Sequence, residues 1–314
     1  MFRLILGSIC LMAASGIWGG MFVISKYLLE YVSPFVLLWL RFLIAFIVLG
    51  ACLMFRKKER VQRSDWLFMV WLGFIGYLAA NGSGFIGTYL STAHMGSLIT
   101  AASPAFTLVL AYWLLKEKLT LKKMISVAMA TCGVVIVIGM ETTEGSRQMI
   151  GNLFLVLGAL AWALYCVSVK KIAAKYSSLA ISAYATGAAL LVTTPAMMID
   201  LNMEDLYNLK EMSIWMGILY LGVVATAIAF FLWNKGMEYL EAGIGSMFYF
   251  FTPVIGGLFG WLFLGEKLSW SFFAGGLLIF MGTLLVVLRN PVSMLSTKRM
   301  VNKSSLDSSH KQGL

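Results

Sequence analysis

Long apolar runs alternate with short polar breaks along almost the whole chain. An α-helix rises 1.5 Å per residue, so about twenty apolar residues cross the roughly 30 Å of hydrocarbon in a bilayer. The pattern therefore predicts an all-α integral membrane protein with ten transmembrane helices. We place these helices at 4–29, 34–54, 66–90, 92–115, 121–140, 150–169, 179–199, 214–237, 243–264 and 270–288.

The segment 243–282 occurs twice in the chain. Gly245, Ser246, Pro253, Leu264, the Glu-Lys-Leu step at 266–268 and Gly282 fall on the same residue types 149 positions earlier, without a gap. A period close to half the chain is typical of membrane proteins built from two repeats. We therefore predict a first repeat at 1–140, a linker at 141–149, a second repeat at 150–288 and a disordered polar tail at 289–314.

Composition supports the membrane interpretation. The 314 residues are 60% hydrophobic and 12% charged, which excludes an ordinary soluble globular protein. The net charge of +10 comes from short basic clusters between apolar runs, so we expect no nucleic-acid partner. The cysteines lie inside apolar runs without metal-ligand spacing, so we interpret them as small apolar fillers and expect no metal or cofactor. They are Cys10, Cys52, Cys132 and Cys166.

The distribution of basic residues predicts the orientation. With both termini on the same side, nineteen of the 24 lysines and arginines fall in segments on that side and only four on the other. The remaining one is Arg41, inside the second helix. Cytoplasmic segments are the ones enriched in Lys and Arg, so both termini are expected in the cytoplasm. Because each repeat has five helices, the second repeat must be inverted relative to the first.

Several of these features together resemble the EamA family of the drug/metabolite transporter superfamily. They are the stretch 14–19 (Ala-Ser-Gly-Ile-Trp-Gly), Arg41 with Phe42, the helices that contain Pro104 and Pro253, and the two Glu-Lys-Leu steps. The resemblance covers 4–288. It implies ten helices around a central cavity, and movement of small metabolites, often amino acids or related compounds, outward across the cell membrane. The implied partners are a small-molecule substrate and the bilayer; the oligomeric state stays open.

The resemblance places the cavity among helices one, three and four and their copies six, eight and nine. In the fourth helix Ser97, Thr100 and Pro104 lie on one face, and Ser246, Tyr249 and Pro253 repeat this stripe in the ninth. A proline inside a helix removes one hydrogen bond, which frees a carbonyl for a ligand or a hydroxyl. The alternative for the serines is close helix packing.

Aromatic and amide side chains add further cavity candidates. Trp18 and Trp162 lie at matching mid-helix positions, away from the interfaces where tryptophan is usual. Asn81 lies deep in the third helix, so its amide must face either another helix or a wet cavity. The further aromatic candidates are Tyr77, Tyr165 and Trp233.

Three charged residues are assigned structural roles. Arg41 is either an anchor for a substrate carboxylate or a cap for helix carbonyls, and we favour the cap. Glu117 and Glu266 are expected to bind lysines or backbone amides at the start of the next helix. Since no Asp or Glu lies in the middle of a predicted span, we expect no coupling through an intramembrane carboxylate.

The sequence thus predicts a secondary transporter working by alternating access. A drug or other small-solute exporter of the same superfamily is the main alternative, and a channel or a membrane scaffold is a remote one. An intramembrane enzyme is disfavoured, because no His, Glu, Asp and Cys cluster is present to activate a nucleophile.

Overall fold

A computed structural model describes residues 2–55, 61–91, 96, 99–138, 145–264 and 270–287, and this part of the chain is helical without strands. The long helices are α1 (Phe2–Leu28), α2 (Pro34–Met54), α3 (Arg63–Leu90), α4 (Ser103–Leu115), α5 (Leu121–Ile138), α6 (Gly145–Ile172), α7 (Ser178–Asp200), α8 (Met212–Tyr239), α9 (242–264) and α10 (Trp270–Val287). A short helix, Met203–Asn208, lies between α7 and α8.

Six of these helices are long and apolar enough to cross a membrane: α1, α2, α3, α6, α7 and α8. Shorter apolar stretches lie in α4, α9 and α10. The bounds of α2 agree with the sequence prediction. By contrast, α6 begins at Gly145, five residues before the predicted 150, so the second part of the predicted linker is helical. The first part of that linker and the predicted tail lie outside the described residues.

The helices pack in a regular set of pairs. Helix α1 contacts α8 and α9, and α6 contacts α3 and α4. Helix α2 packs along α7, and α5 packs along α10. Each predicted repeat therefore supplies one helix to every one of these contacts, and the main hydrophobic core lies between the two groups of helices.

Glycines allow the backbones of two helices to approach closely at two contacts, α3 with α7 and α5 with α10. At Gly73 in α3, a Cβ atom would lie 2.5 Å from the carbonyl oxygen of Ala185 and 2.8 Å from the nitrogen of Ala189, both in α7. At Gly133 in α5, it would lie 2.6 Å from the carbonyl oxygen of Gly275 in α10. Van der Waals packing of this kind is what holds helices together in a bilayer.

Carboxylates of the short helix and of the end of α7 bind the beginning of α2. The Asp205 carboxylate accepts the Ser33 amide at 2.7 Å, and Asp200 accepts the Phe35 amide at 2.8 Å. Asp205 also forms a capping box with Asn202, which satisfies amides at the start of the short helix itself. The first amides of a helix have no partner within it, so these carboxylates complete α2.

Helices α3 and α8 each contain a π-helical segment, Gly73–Gly82 and Tyr220–Ile228. A turn at 101–102 precedes α4 and interrupts the predicted helix 92–115, and the 3₁₀ segment Met247–Phe250 interrupts α9. The sequence prediction treated all four as continuous α-helices and was wrong on this point. Such irregular backbone is tolerated at membrane depth only where protein or a cavity surrounds it.

The two prolines lie near the start of the helical segments that follow the interruptions. Pro104 lies in the first turn of α4, and Pro253 is the third residue of the α-helical part of α9. Because proline has no amide hydrogen, the carbonyl of Thr100, four residues before Pro104, is left for another donor. The Ser103 hydroxyl donates to this carbonyl at 2.5 Å, which agrees with the expectation of a carbonyl freed for a hydroxyl.

The Gly73→Ala substitution should weaken the contact between α3 and α7. The added methyl group meets backbone atoms that cannot rotate away, so we expect a loss of about 1–3 kcal/mol. Unfolding of the purified protein in detergent measures this loss. Gly50→Ala is the control, because a Cβ there meets no described atom within 4 Å. Equal stability of the two variants would contradict the packing described here.

Candidate functional site

A cavity of about 460 Å³, its opening included, is lined by residues of α1, α3, α4, α6, α8 and α9 and by Thr100 just before α4. The lining side chains are mainly aromatic and apolar, with a few polar groups. They are Trp18, Met21, Phe22, Ala80, Asn81, Gly84, Phe85, Thr100, Ser103, Gly158, Trp162, Phe230 and Tyr249.

Trp18 is the centre of an aromatic cluster at the cavity. Its ring centroid lies 5.0 Å from that of Trp162, 5.2 Å from Trp233, 5.4 Å from Phe230 and 5.8 Å from Tyr249. These edge and tilted contacts are the geometry that aromatic pairs prefer. The cluster draws on α1, α6, α8 and α9, so it joins helices of both predicted repeats.

Hydrogen bonds to the irregular backbone hold the polar side chains at the cavity. The Trp18 indole donates to the carbonyl of Ala225 in the π segment of α8 at 2.9 Å. Asn81 donates to the carbonyl of Gly76 in its own π segment at 2.7 Å. Of the two alternatives expected for Asn81, this geometry fits the cavity: its amide bonds to its own helix and its side chain lines the cavity.

Three hydroxyl and indole groups complete the polar part of the site. Thr100 donates to the carbonyl of Gly96, and Ser103 donates to the carbonyl of Thr100, each at 2.5 Å. The indole nitrogen of Trp162 is buried and has no partner among the described residues. It is therefore a donor available to a ligand inside an otherwise apolar wall.

Several predicted site residues lie behind the cavity and do not line it. Tyr77 and Tyr165 are buried in edge contact with each other at 5.8 Å, and Trp233 lies beneath Trp18. Tyr165 donates to the Asn234 amide oxygen at 2.9 Å, and Ser246 donates to the carbonyl of Gly243 in its own helix. Ser97 and Glu266 lie outside the described residues.

Sequence reasoning missed several residues of the site. Phe22 follows Trp18 by four positions and Phe85 follows Asn81 by four, so helical spacing could have identified both. The same spacing connects Ser103 to Thr100, three positions earlier, and Gly158 to Trp162, four positions later. No group of three metal-binding side chains occurs among the described residues.

A second polar site, the Glu117 cluster, lies away from the cavity. Glu117 follows α4 and accepts the amides of Ala242 and Gly243, the first residues of α9, at 2.7 and 3.1 Å. Lys123 in α5 lies 2.7 Å from the Glu241 carboxylate and 3.7 Å from that of Glu117. Glu117 therefore contacts a lysine in the first turn of the next helix, as expected from the sequence, whereas the backbone amides that it binds belong to α9.

Comparison with known proteins matches this arrangement to one family. The model of the EamA-like transporter family matches residues 5–139 and 149–288. The chain belongs to this family. Together with the apolar helices, this establishes a multi-pass membrane protein of a transporter family.

Individual relatives cover most of the chain at low identity. The uncharacterized transporter YetK of Bacillus subtilis (strain 168) is 26% identical over 90% of this chain and 86% of its own length. A probable amino-acid metabolite efflux pump of Salmonella typhimurium (strain LT2) is 25% identical over 85% and 89%. A solved crystal structure shares the fold with a TM-score of 0.75 at 19% identity, covering 90% of this chain and 96% of that one.

Trp18→Ala should destabilise the protein through the aromatic cluster. The change removes four ring contacts and the hydrogen bond to Ala225, and we expect a cost of about 3–5 kcal/mol. Thermal unfolding in detergent measures it. Trp113→Ala is the matched control, because Trp113 is 69% exposed on the outside of the bundle. If both variants unfold alike, Trp18 does not organise the cavity.

Proposed function

We propose that this EamA-like transporter carries a small metabolite across the cytoplasmic membrane by alternating access. The observation that carries the proposal is an aromatic cavity enclosed by helices of both predicted repeats. Transporters with inverted repeats bind substrate near the midplane between the repeats, often beside interrupted helices. The π segments of α3 and α8 and the breaks before α4 and within α9 fit this description.

Inverted repeats receive support from the packing of the helices. Shifting by five helices turns the contacts of α1 with α8 and α9 into the contacts of α6 with α3 and α4. The same shift exchanges α2 with α7 and α5 with α10, so each of these two pairs maps onto itself. The irregular segments also recur at corresponding places. An exchange symmetry of this kind gives two conformations of similar energy, which is what a rocking carrier requires.

In the proposed orientation both termini are cytoplasmic, so the Glu117 cluster lies at the cytoplasmic end. It ties the connection between α4 and α5 to the start of α9 in the other repeat. A carboxylate at a helix N-terminus is stabilised by the exposed amides and the helix dipole. The cluster therefore acts as a latch that holds the cytoplasmic end closed in this conformation.

The substrate we propose is an amino acid or a related compound, moved outward. An aromatic wall with few polar groups suits a small amphipathic molecule. One relative carries the name of a probable amino-acid metabolite efflux pump, which supports the same class. Export of drugs or other small solutes is the alternative within the superfamily, and a channel or scaffold is the remote one.

Counterflow in proteoliposomes tests this function. Vesicles that contain the purified protein are loaded with one unlabelled amino acid at a time, and uptake of the labelled compound from outside is followed. An alternating-access carrier shows uptake stimulated by the internal substrate, with saturation. A channel shows flux without stimulation, and a scaffold shows no flux beyond that of empty vesicles; either result would refute the proposal.

Glu117→Ala should open the latch. The amides of Ala242 and Gly243 then lose their acceptor, because the first amides of a helix have none within it. We expect faster hydrogen exchange in a peptide that spans 240–246, measured by mass spectrometry. Glu204→Ala is the control, since Glu204 is exposed on the short helix. Unchanged exchange at 240–246 would show that Glu117 does not hold this end.

A further inference from the structure

Arg41 is a buried cation in α2, and some of its donor atoms have no hydrogen-bond partner among the described residues. The residue is 0% exposed. Its Nε donates to the Thr226 hydroxyl at 2.8 Å, whereas Nη1 and Nη2 have no hydrogen-bond partner among the described residues. The rings of Phe42 and Phe85 lie 5.8 and 5.3 Å from its guanidinium carbon. The four hydrogens on the Nη atoms are thus left without an acceptor.

This arrangement does not fit a purely structural arginine. A cap would donate from its Nη atoms to helix carbonyls, and a structural ion pair would place a carboxylate beside it. The ion pairs among the described residues join other side chains. An unpaired charge within a membrane span is costly and is usually linked to function. The sequence-based preference for a capping role is therefore not supported.

Thr226 fixes the direction in which the free edge of the guanidinium points. Its hydroxyl donates to the carbonyl of Leu221, five residues earlier, at 2.7 Å in the π segment of α8. With its proton engaged there, the Thr226 oxygen presents a lone pair to the Nε of Arg41. The Nη pair is left as a planar, two-point donor, which matches the geometry of a carboxylate.

Phe85 connects the surroundings of Arg41 to the cavity. Its ring centroid lies 5.3 Å from the Arg41 guanidinium carbon, and Phe85 also lines the cavity. The neighbouring Gly84 lines the cavity as well, and a Cβ built there meets no described atom within 4 Å. Contact between the Arg41 Nη atoms and a ligand in the cavity requires the Phe85 ring to move.

We propose that Arg41 binds the carboxylate of the substrate, so that this carrier selects small carboxylates with an apolar or aromatic remainder. The inference rests on the proposed transport function. The aromatic cluster would receive the remainder of the molecule, and the Arg41 Nη pair would neutralise its charge. Arg41 is then a specificity-determining residue, held in place by Thr226.

The test compares amino acids with their amides, in which an uncharged group replaces the carboxylate. Purified full-length protein in detergent is titrated with the twenty amino acids and with the corresponding amino-acid amides, and binding is followed through ligand-induced thermal shift. We expect at least one acid to stabilise the protein while its amide does not. In Arg41→Gln this preference should disappear, with affinity for the acid lowered about ten- to hundredfold. Thr226→Val should weaken acid binding less, and Arg63→Gln, at an exposed arginine, should leave it unchanged.

Unfolding without ligand separates this role from a structural one. If Arg41 only supports the fold, Arg41→Gln lowers the melting temperature and leaves any acid preference intact, which overturns the proposal. If it binds substrate, the ligand-free melting temperature stays the same or rises, because an unpaired buried charge is removed. If the protein binds and exchanges only neutral or cationic compounds, the proposal that Arg41 binds a carboxylate is rejected and the proposed carrier function is retained. Failure of every compound in both assays would reject the transport function itself.

Discussion

Hydrocarbon offers no hydrogen-bond partner, so each departure from α-helical geometry in this chain must be satisfied by the protein itself. Side chains of the site meet this requirement. The side chains of Asn81 and Thr226 each donate to the carbonyl five residues earlier, in the π segments of α3 and α8. The Trp18 indole in α1 donates to the carbonyl of Ala225 in α8. The groups that line or support the cavity are therefore the same groups that make its irregular backbone possible. Site and fold depend on each other at these positions.

Close backbone contacts occur both away from the cavity and beside it. Where α5 meets α10 and α3 meets α7, glycines let backbones approach closely. Next to Trp18, Gly19 approaches the backbone of α9, and Gly158 in the cavity lining approaches the backbone of α3. Small residues therefore bring the helices of the site together, and the large rings beside them fill the space between these contacts.

Much of the architecture follows from hydrophobic run length, which predicted the bounds of α2 and the six helices that are long enough to cross a membrane. Run length does not reveal helix neighbours, so the contact of Glu117 with Lys123 in α5 was expected, whereas its bonds to the start of α9 were not. A π segment of about ten residues differs too little in period from an α-helix to be recognised in a uniformly apolar run. For the site, matching mid-helix positions identified Trp18 and Trp162, whereas the partner of Arg41 lies 185 residues away and left no local signal.

In its proposed role, the unpaired guanidinium of Arg41 would also give the carrier an electrical property. A unit charge moved through the whole membrane field gains or loses about 2.3 kcal/mol per 100 mV. An empty site with a bare cation and a site that holds a net anionic carboxylate differ by one such charge, whereas a zwitterionic amino acid leaves the net charge of the site unchanged. Any step that carries Arg41 through part of the field would therefore respond to the membrane potential in the empty form and lose this response only with a net anionic cargo. A single arginine would thereby link the direction of net flux to the energised state of the cell.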